Sequence, residues 1–159
     1  MMSQETKIKI RAAALIVLLL PLILLWLPIV AVVMCFLYCF LYGVAWFVWM
    51  PQGKDVLIVT SDSPVWREYM QREIIAKLEQ RSIILNWSER AKWPWLHIPA
   101  LALQLWGGSN EFNPMVLVFK RFQTVEKFRF WAAFKEYKHG DSAQVERLTK
   151  DVFDAVEGK

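Results

Sequence analysis

The feature that most constrains this chain is an apolar block from Ala12 to Met50, which contains no charged residue and no His, Asn or Gln. One crossing of a bilayer takes roughly 20 helical residues, because the hydrocarbon layer is about 30 Å thick and a helix rises about 1.5 Å per residue. The block has 39 residues. That is too many for one crossing and far more than the roughly 7 to 15 apolar residues of a signal peptide. We therefore expect a membrane anchor that stays in the mature protein.

Tryptophan and proline divide the block into two parts. Trp26 lies midway along it, close to Pro28, and Trp is enriched at membrane interfaces. Pro28 can begin a helix, whereas Pro21 would kink or end one. This spacing predicts a transmembrane helical hairpin with helices at about 8–24 and 28–50, and therefore a multi-pass membrane protein. The turn of the hairpin has no polar residue to pair its backbone groups, so these groups must reach water or lipid headgroups.

Basic residues before the block predict the orientation of the chain. Lys7, Lys9 and Arg11 favour a cytoplasmic N-terminus, since positively charged flanks stay on the cytoplasmic side. The organisation is then a basic cytoplasmic segment at 1–11, an anchor at 12–50 and an α/β domain at 51–159. A hairpin keeps this domain in the cytoplasm. A single kinked span is the alternative, and it would place the domain outside.

Charge and cysteine content narrow the function of residues 51–159, which are enough for one small domain with its own core. The net charge of the chain is only +4, and basic and acidic residues alternate from Arg67 to Glu79. We therefore expect no nucleic-acid partner, because such proteins concentrate basic residues on one face. Cys35 and Cys39 both lie in the apolar block. The domain therefore has no disulfide, Cys-based zinc site or thiol nucleophile.

The hydrophobic pattern of the domain predicts an α/β fold. A continuous β-branched run at 56–60 indicates a buried strand, Ser63 and Pro64 begin a helix that extends to about Gln80, and a second strand follows at 82–87. Short connections between a strand, a helix and a strand are typical of a parallel βαβ unit. The remaining predicted elements are a short apolar helix at 99–106, strands at 115–119 and 125–130, and helices starting at Trp131 and after Asp141. We expect a small three- or four-stranded, mostly parallel sheet with flanking helices.

Polar residues follow each predicted strand, and ligands bind beyond the carboxyl ends of strands in open parallel sheets. Asp62 and Glu89 would be the catalytic carboxylates if the protein is an enzyme, with Glu111 as a third carboxylate for hydrolysis. Alternatively, these residues only cap helices and form solvated turns. The full set of ligand-binding candidates is Ser61, Asp62, Ser63, Ser88, Glu89, Lys120 and Arg121.

Motifs for catalysis or cofactor binding are absent from the sequence. It contains no phosphate-binding loop, no G-x-G-x-x-G, no G-x-S-x-G and no H-E-x-x-H. His97 and His139 have no partners at the spacing of a metal site or a catalytic triad. We predict neither a metal nor a cofactor.

Tryptophan is concentrated between residues 87 and 106. Trp87, Trp93, Trp95 and Trp106 occur there with Arg90 and Lys92 between them. Because Trp and basic residues are favoured at bilayer surfaces, this segment is a candidate for contact with the membrane. The alternative is that the helix at 99–106 covers the sheet and belongs to the core.

These observations favour a binding or interaction module in a membrane-anchored protein. Its expected partners are the lipid bilayer and either a membrane protein or a second copy of the chain, since Trp is common at interaction hot spots. The alternative is a membrane-tethered nucleotide-binding protein or hydrolase that uses the strand-end residues. A pore subunit is not expected, because the apolar block has no ionisable residue.

Overall fold

The computed structural model describes residues 4–108, 110, 113–121 and 123–158. It has a mixed α/β architecture and divides into two compact units, Met1–Phe40 and Leu41–Lys159. The first unit is helical. The second contains a four-stranded sheet with helices on both faces.

Helix α1 runs without interruption over Gln4–Val44, with Pro21 and Pro28 inside it. It continues into a π-helical turn, Ala45–Trp49, and a 3-10 turn, Met50–Gln52. Within the described residues, Leu15–Gln52 is the one helical stretch that is long and apolar enough to cross a membrane.

The predicted helical hairpin is not confirmed, because the chain does not turn near Trp26. This side chain lies in mid-helix and is 61% exposed. A turn here would leave backbone N–H and C=O groups unpaired among apolar side chains, whereas a continuous helix pairs nearly all of them. Pro21 and Pro28 each remove one backbone donor and crowd the carbonyl four residues earlier, but a turn would leave more backbone groups unpaired than a helix does.

The sheet consists of β1 (Val56–Thr60), β2 (Ser82–Asn86), β3 (Met115–Val118) and β4 (Glu126–Arg129), in the order β2-β1-β3-β4. Only β1 and β2 are parallel; β3 is antiparallel to both β1 and β4. The expected strands are therefore present, but the prediction of a mostly parallel sheet is wrong.

The reversal of β3 follows from the course of the chain after β2. Helix α3 (Ile98–Gly107) crosses the sheet and ends against the start of β3, where a Cβ on Gly107 would lie 3.3 Å from Met115 Sδ. Met115 is opposite Val59 near the end of β1. The chain thus enters β3 at the end of the sheet where β1 and β2 finish, since it makes no return crossing of the kind that parallel strands need.

The first face of the sheet packs against three helices. These are α2 (residues 67–81, with a π-helical segment at Met70–Ile75), α4 (Trp131–Tyr137) and α5 (Ala143–Glu157). Val56 and Ile58 of β1 point into this layer and are at most 1% exposed. The core there also contains Met70, Ile74, Phe130, Phe134, Val145 and Val152.

The second face carries Leu57 and Val59, which are fully buried. Helix α3 and the last turns of the long apolar helix cover it. Trp49 and Trp106 both pack edge-on against Phe119, with ring centroids 5.6 and 5.3 Å away.

The end of the apolar helix is thus part of the domain core. Leu41, Ala45 and Trp49, spaced at four residues, form a buried stripe, whereas Phe47 is 80% exposed. The hydroxyl of Tyr42 donates a 2.7 Å hydrogen bond to the carbonyl of Gln123, in the loop after β3. Residues 41–49 therefore contribute to both the apolar helix and the sheet-containing unit.

Candidate functional site

The loops after β1 and β2 meet at the carboxyl end of the sheet, which we define by these two strands. The backbone N–H of Asp62 donates to Ser88 Oγ over 3.0 Å, and Asn86 Nδ2 donates to Asp62 Oδ1 over 3.4 Å. The N–H of Ser88 donates in turn to Asn86 Oδ1 over 3.0 Å. Parallel pairing of β1 and β2 therefore brings Asp62 and Ser88 together, as expected from the sequence.

The neighbouring serines are also occupied by local contacts. Ser61 Oγ accepts a 3.1 Å hydrogen bond from Trp66 Nε1, and Ser63 Oγ accepts a 3.4 Å hydrogen bond from the N–H of Val65. Asp62 Oδ1 lies 4.0 Å from Arg67 Nη1, and both side chains are at least half exposed. The polar groups of this loop pair with one another, which holds the turn in place.

Glu89 makes its contact within the 3-10 segment Trp87–Lys92. Its Oε1 lies 3.3 Å from Lys92 Nζ. Among the described residues, no hydrogen bond or ion pair joins Glu89 to Asp62, so the two candidate catalytic carboxylates are not linked. Glu111 lies outside the described residues.

Lys120 and Arg121 lie at the opposite end of the sheet, which we call the amino end. The reason is the antiparallel direction of β3, whose last residue Val118 is opposite Val56. The N–H of Phe119 donates to the carbonyl of Asp55 over 2.8 Å, just before β1 begins. The seven ligand-binding candidates are therefore divided between two ends of the sheet and do not form one crevice.

The amino end has a pocket of about 470 Å³, which we call the amino-end pocket. The Arg81 guanidinium forms a two-pronged ion pair with Asp55 in its wall and donates to the carbonyl of Val156 over 3.1 Å. The hydrogen bonds to Asp55 raise the pKa of Arg81 above its usual range. The wall also contains Lys120, which is 2.7 Å from Glu126, and Arg121.

Sequence reasoning did not identify Arg81 or Asp55 as site residues, although a signal for their contact was present. Asp55 directly precedes β1 and Arg81 directly precedes β2, and the first residues of these strands are register partners. Oppositely charged residues before two parallel, in-register strands are brought side by side. The contact between Asp55 and Arg81 can therefore be predicted only after the register of β1 and β2 is known.

An aromatic surface follows β2, and we define it by Trp87, Trp93, Trp95 and His97. Trp93 stacks on His97 with centroids 5.1 Å apart, and its edge meets Trp87 at 5.7 Å. Arg90 lies over the Trp87 ring at 5.5 Å. The rings border a pocket of about 330 Å³. Trp95 is 93% exposed and the adjacent Leu96 is 52% exposed.

Trp106 does not belong to this surface. It is 5% exposed and packs between Tyr42 and Phe119, with ring centroids 5.5 and 5.3 Å away. Its helix α3 also buries Ala102 and Leu103. The expectation that Trp106 lies at the membrane surface is therefore wrong, because its position on the inner stripe of α3 points it at the sheet. The alternative interpretation of a core helix describes it correctly.

In the part of the chain that the structure describes, no three His, Cys, Asp or Glu side chains are grouped as metal ligands. Comparisons of the chain with known protein families, with curated proteins and with solved structures gave no match. The site therefore has to be interpreted from its own geometry.

Proposed function

We propose that this chain is a membrane-anchored binding protein whose aromatic surface rests on the bilayer. The exposure of Trp95 is the observation that carries the proposal. Trp49, Trp66 and Trp106 are at most 9% exposed, whereas Trp95 presents 93% of its surface. An indole ring is more stable at a membrane interface than in water, because one part is apolar and the N–H can still be hydrated.

The residues around Trp95 support a lipid surface as the partner. Leu96 adds a half-exposed apolar side chain. Arg90 and Lys92, with Glu89 between the strand and them, leave one net positive charge in the same segment. Apolar and aromatic residues next to cations are typical of segments that bind anionic bilayers. Tethering increases the local concentration of lipid to the millimolar range or above, so even a weak surface contact is occupied.

The anchor in this proposal is a single span. Residues 41–49 have one side buried in the domain, which leaves the apolar helix from Leu15 to Phe40, where most of the described side chains are exposed. A helix of residues 15–40 is about 39 Å long, which is enough to cross a hydrocarbon layer of about 30 Å, with about 9 Å left for tilt or for the headgroup regions. The apolar block is longer than one crossing needs because, in this proposal, residues 15–40 contact lipid and residues 41–49 pack in the domain core.

One crossing places the two ends of the chain on opposite sides of the membrane. Lys7, Lys9 and Arg11 keep the N-terminus in the cytoplasm, so the unit that begins at Leu41 lies outside it. The basic residues of that unit do not oppose this orientation, because long domains are translocated largely regardless of charge.

The enzymatic alternative has less support. The alternative relies on the strand-end residues acting together, but Asp62 and Lys120 are at opposite ends of the sheet. At the carboxyl end, the polar groups of Ser61, Asp62 and Ser88 already bond to one another. The geometry therefore favours binding over catalysis.

Spin-label accessibility in liposomes tests the membrane contact. The full chain with Cys35→Ala and Cys39→Ala receives a single cysteine by Trp95→Cys and is reconstituted into vesicles of phosphatidylcholine and phosphatidylglycerol. We expect the label at 95 to collide more often with oxygen than with a water-soluble nickel chelate, because it lies in the interface. Glu68→Cys is the matched control, since Glu68 is 89% exposed on α2 and should show the opposite preference.

A water-like label at position 95 in these vesicles would contradict the proposal. If the label at position 95 is shielded from the nickel chelate in native membranes but not in the vesicles, the aromatic surface binds a membrane protein and not the bilayer.

A further inference from the structure

We propose that the aromatic surface binds the headgroup of an anionic phospholipid in the pocket of about 330 Å³ that its rings border. This inference rests on the proposed contact with the bilayer and identifies the lipid that the surface selects. The pocket has the size of a small-molecule site, which is too small for a whole lipid but sufficient for a headgroup. The acyl chains then remain in the membrane, next to the exposed side chains of Trp95 and Leu96.

The charges around this pocket leave a positive excess. Arg90 is the one charged residue that lines the pocket within the described part of the chain. Glu89 lies 3.3 Å from Lys92, so the charges of this pair cancel. Asp62, which follows the neighbouring strand β1, lies 4.0 Å from Arg67 and is balanced by it. One positive charge therefore remains, and it matches the single negative charge of a phosphodiester.

The amino end of α3 adds positive potential and a neutral polar group. Ala100 and Leu101, in the first turn of this helix, line the pocket, and the helix dipole favours an anion at this end. Gln104 also lines the pocket, and its exposed side chain makes no hydrogen bond to any residue that the structure describes. Its amide is therefore available to the glycerol hydroxyls of a headgroup such as that of phosphatidylglycerol.

The guanidinium group of Arg90 is held in place before a ligand binds. It lies over the Trp87 ring at 5.5 Å, and its Nη1 donates to the carbonyl of Trp87 over 3.3 Å. Among the described residues, Nε and Nη2 have no hydrogen-bond partner, and this pair can donate side by side to two oxygens of a phosphodiester. Because the ring and the carbonyl position the side chain, less side-chain entropy is lost on binding.

Lipid binding by the full chain in dodecyl maltoside, measured by native mass spectrometry, tests the pocket. The probes are phosphatidylglycerol and phosphatidylcholine with the same acyl chains, which share the phosphodiester but differ in net charge. We expect phosphatidylglycerol to bind more tightly, and its affinity to fall about tenfold in Arg90→Gln, because charged hydrogen bonds are lost. Arg147→Gln is the matched control and should bind like the unmodified chain, since Arg147 is exposed on α5 and does not line the pocket.

Arg90→Lys separates a headgroup pocket from a general attraction between a basic segment and an anionic surface. This variant keeps the charge, but an ammonium group cannot donate in the planar, side-by-side geometry of Nε and Nη2. We therefore expect it to bind phosphatidylglycerol more weakly than the unmodified chain does. Unchanged affinity of Arg90→Lys, equal affinity of Arg90→Gln and Arg147→Gln, or equal binding of the two lipids would overturn the proposal.

The acyl-free headgroup glycerophosphoglycerol distinguishes a lipid from a soluble phosphodiester. We expect it to displace phosphatidylglycerol only in large excess, because it lacks the chains that lie next to Trp95 and Leu96 in this proposal. Displacement at equal concentration would overturn the assignment to a lipid. If phosphatidylglycerol is not preferred although the spin label at position 95 lies in the interface, this inference fails alone. A water-like label would instead remove the membrane contact on which it rests.

Discussion

At the scale of single residues, Tyr69 links α2 to α5 through a hydrogen bond whose direction can be assigned. Thr149 donates its hydroxyl proton to the carbonyl of Val145 over 2.8 Å. Tyr69 therefore donates to Thr149 Oγ1, which is 3.1 Å away. Burial raises the pKa of the Tyr69 phenol above its ordinary value of 10.0. The contact with Thr149 acts against this shift, and the negative charges of Glu73 and Glu146 add to it.

The raised pKa of Tyr69 predicts how the stability of the domain depends on alkaline pH. The folded state holds the Tyr69 proton more tightly than the unfolded state, so the contribution is complete below the unfolded pKa of about 10 and is lost as pH rises through the raised folded value. Tyr69→Phe should cost about 1 kcal/mol at pH 7, where a hydrogen bond is lost, and should flatten the alkaline decline. Thermal unfolding between pH 8 and 11 checks both effects. Parallel declines of the two proteins would show that the pKa of Tyr69 is not raised in the folded state.

The candidate site residues were predicted correctly from the sequence only where they follow the parallel strands. Asp62 and Ser88 meet as expected, because each follows a strand of the one parallel pair and that pairing is predictable from short connections. Lys120 and Arg121 were placed at the wrong end, since the sequence after β2 does not reveal whether the chain crosses back before β3. Arg81 was missed because its role depends on a neighbour in another strand.

At the scale of elements, the strands and helices of the domain and the parallel pairing of β1 with β2 were predictable, whereas the arrangement of the elements after β2 was not. The runs at 56–60 and 115–118 are short, apolar and β-branched, which local propensity explains. The direction of β3 and the burial of Trp106 depend on packing between distant segments. In the apolar block, hydrophobicity alone does not separate lipid contact from protein contact, and so the burial of residues 41–49 was not foreseen.

Burial of the helix end predicts where the domain begins. Leu41, Ala45 and Trp49 are at most 9% exposed, and burying side chains of this size contributes roughly 1 to 3 kcal/mol each. Their sum is a large part of the roughly 5–15 kcal/mol of a typical domain. We therefore expect a fragment of residues 41–159 to unfold cooperatively, and a fragment of residues 51–159 to lose cooperativity or aggregate through its uncovered second sheet face.

Denaturant unfolding followed by circular dichroism compares the two fragments. Phe47→Ala in the longer fragment is the control, because Phe47 is 80% exposed on the same helical turn and its loss should change stability little. Equal unfolding midpoints for the two fragments would show that residues 41–50 are not part of the core.

At the scale of the whole molecule, the continuity of α1 determines which side of the membrane we expect the domain to occupy. A helix that does not turn near Trp26 has its ends on opposite sides if it crosses once. The proposed single crossing agrees with both the exposed apolar length of residues 15–40 and the burial of residues 41–49. A hairpin would need a turn in a segment without polar side chains, where unpaired backbone groups are costly.

The predicted orientation can be measured with a membrane-impermeant maleimide on intact cells. The full chain with Cys35→Ala and Cys39→Ala carries one cysteine at Glu68→Cys, a position on α2, outside the aromatic surface, where the side chain is 89% exposed. We expect labelling without lysis, because one crossing with a cytoplasmic N-terminus exports this residue. Neutral replacement of Lys7, Lys9 and Arg11 by Gln is the matched variant and should reduce the labelled fraction, since these charges set the orientation. Labelling that appears only after lysis would place the domain on the side of the N-terminus. In that case the apolar block crosses the membrane twice, and the unbroken helix is not the form that it takes in lipid.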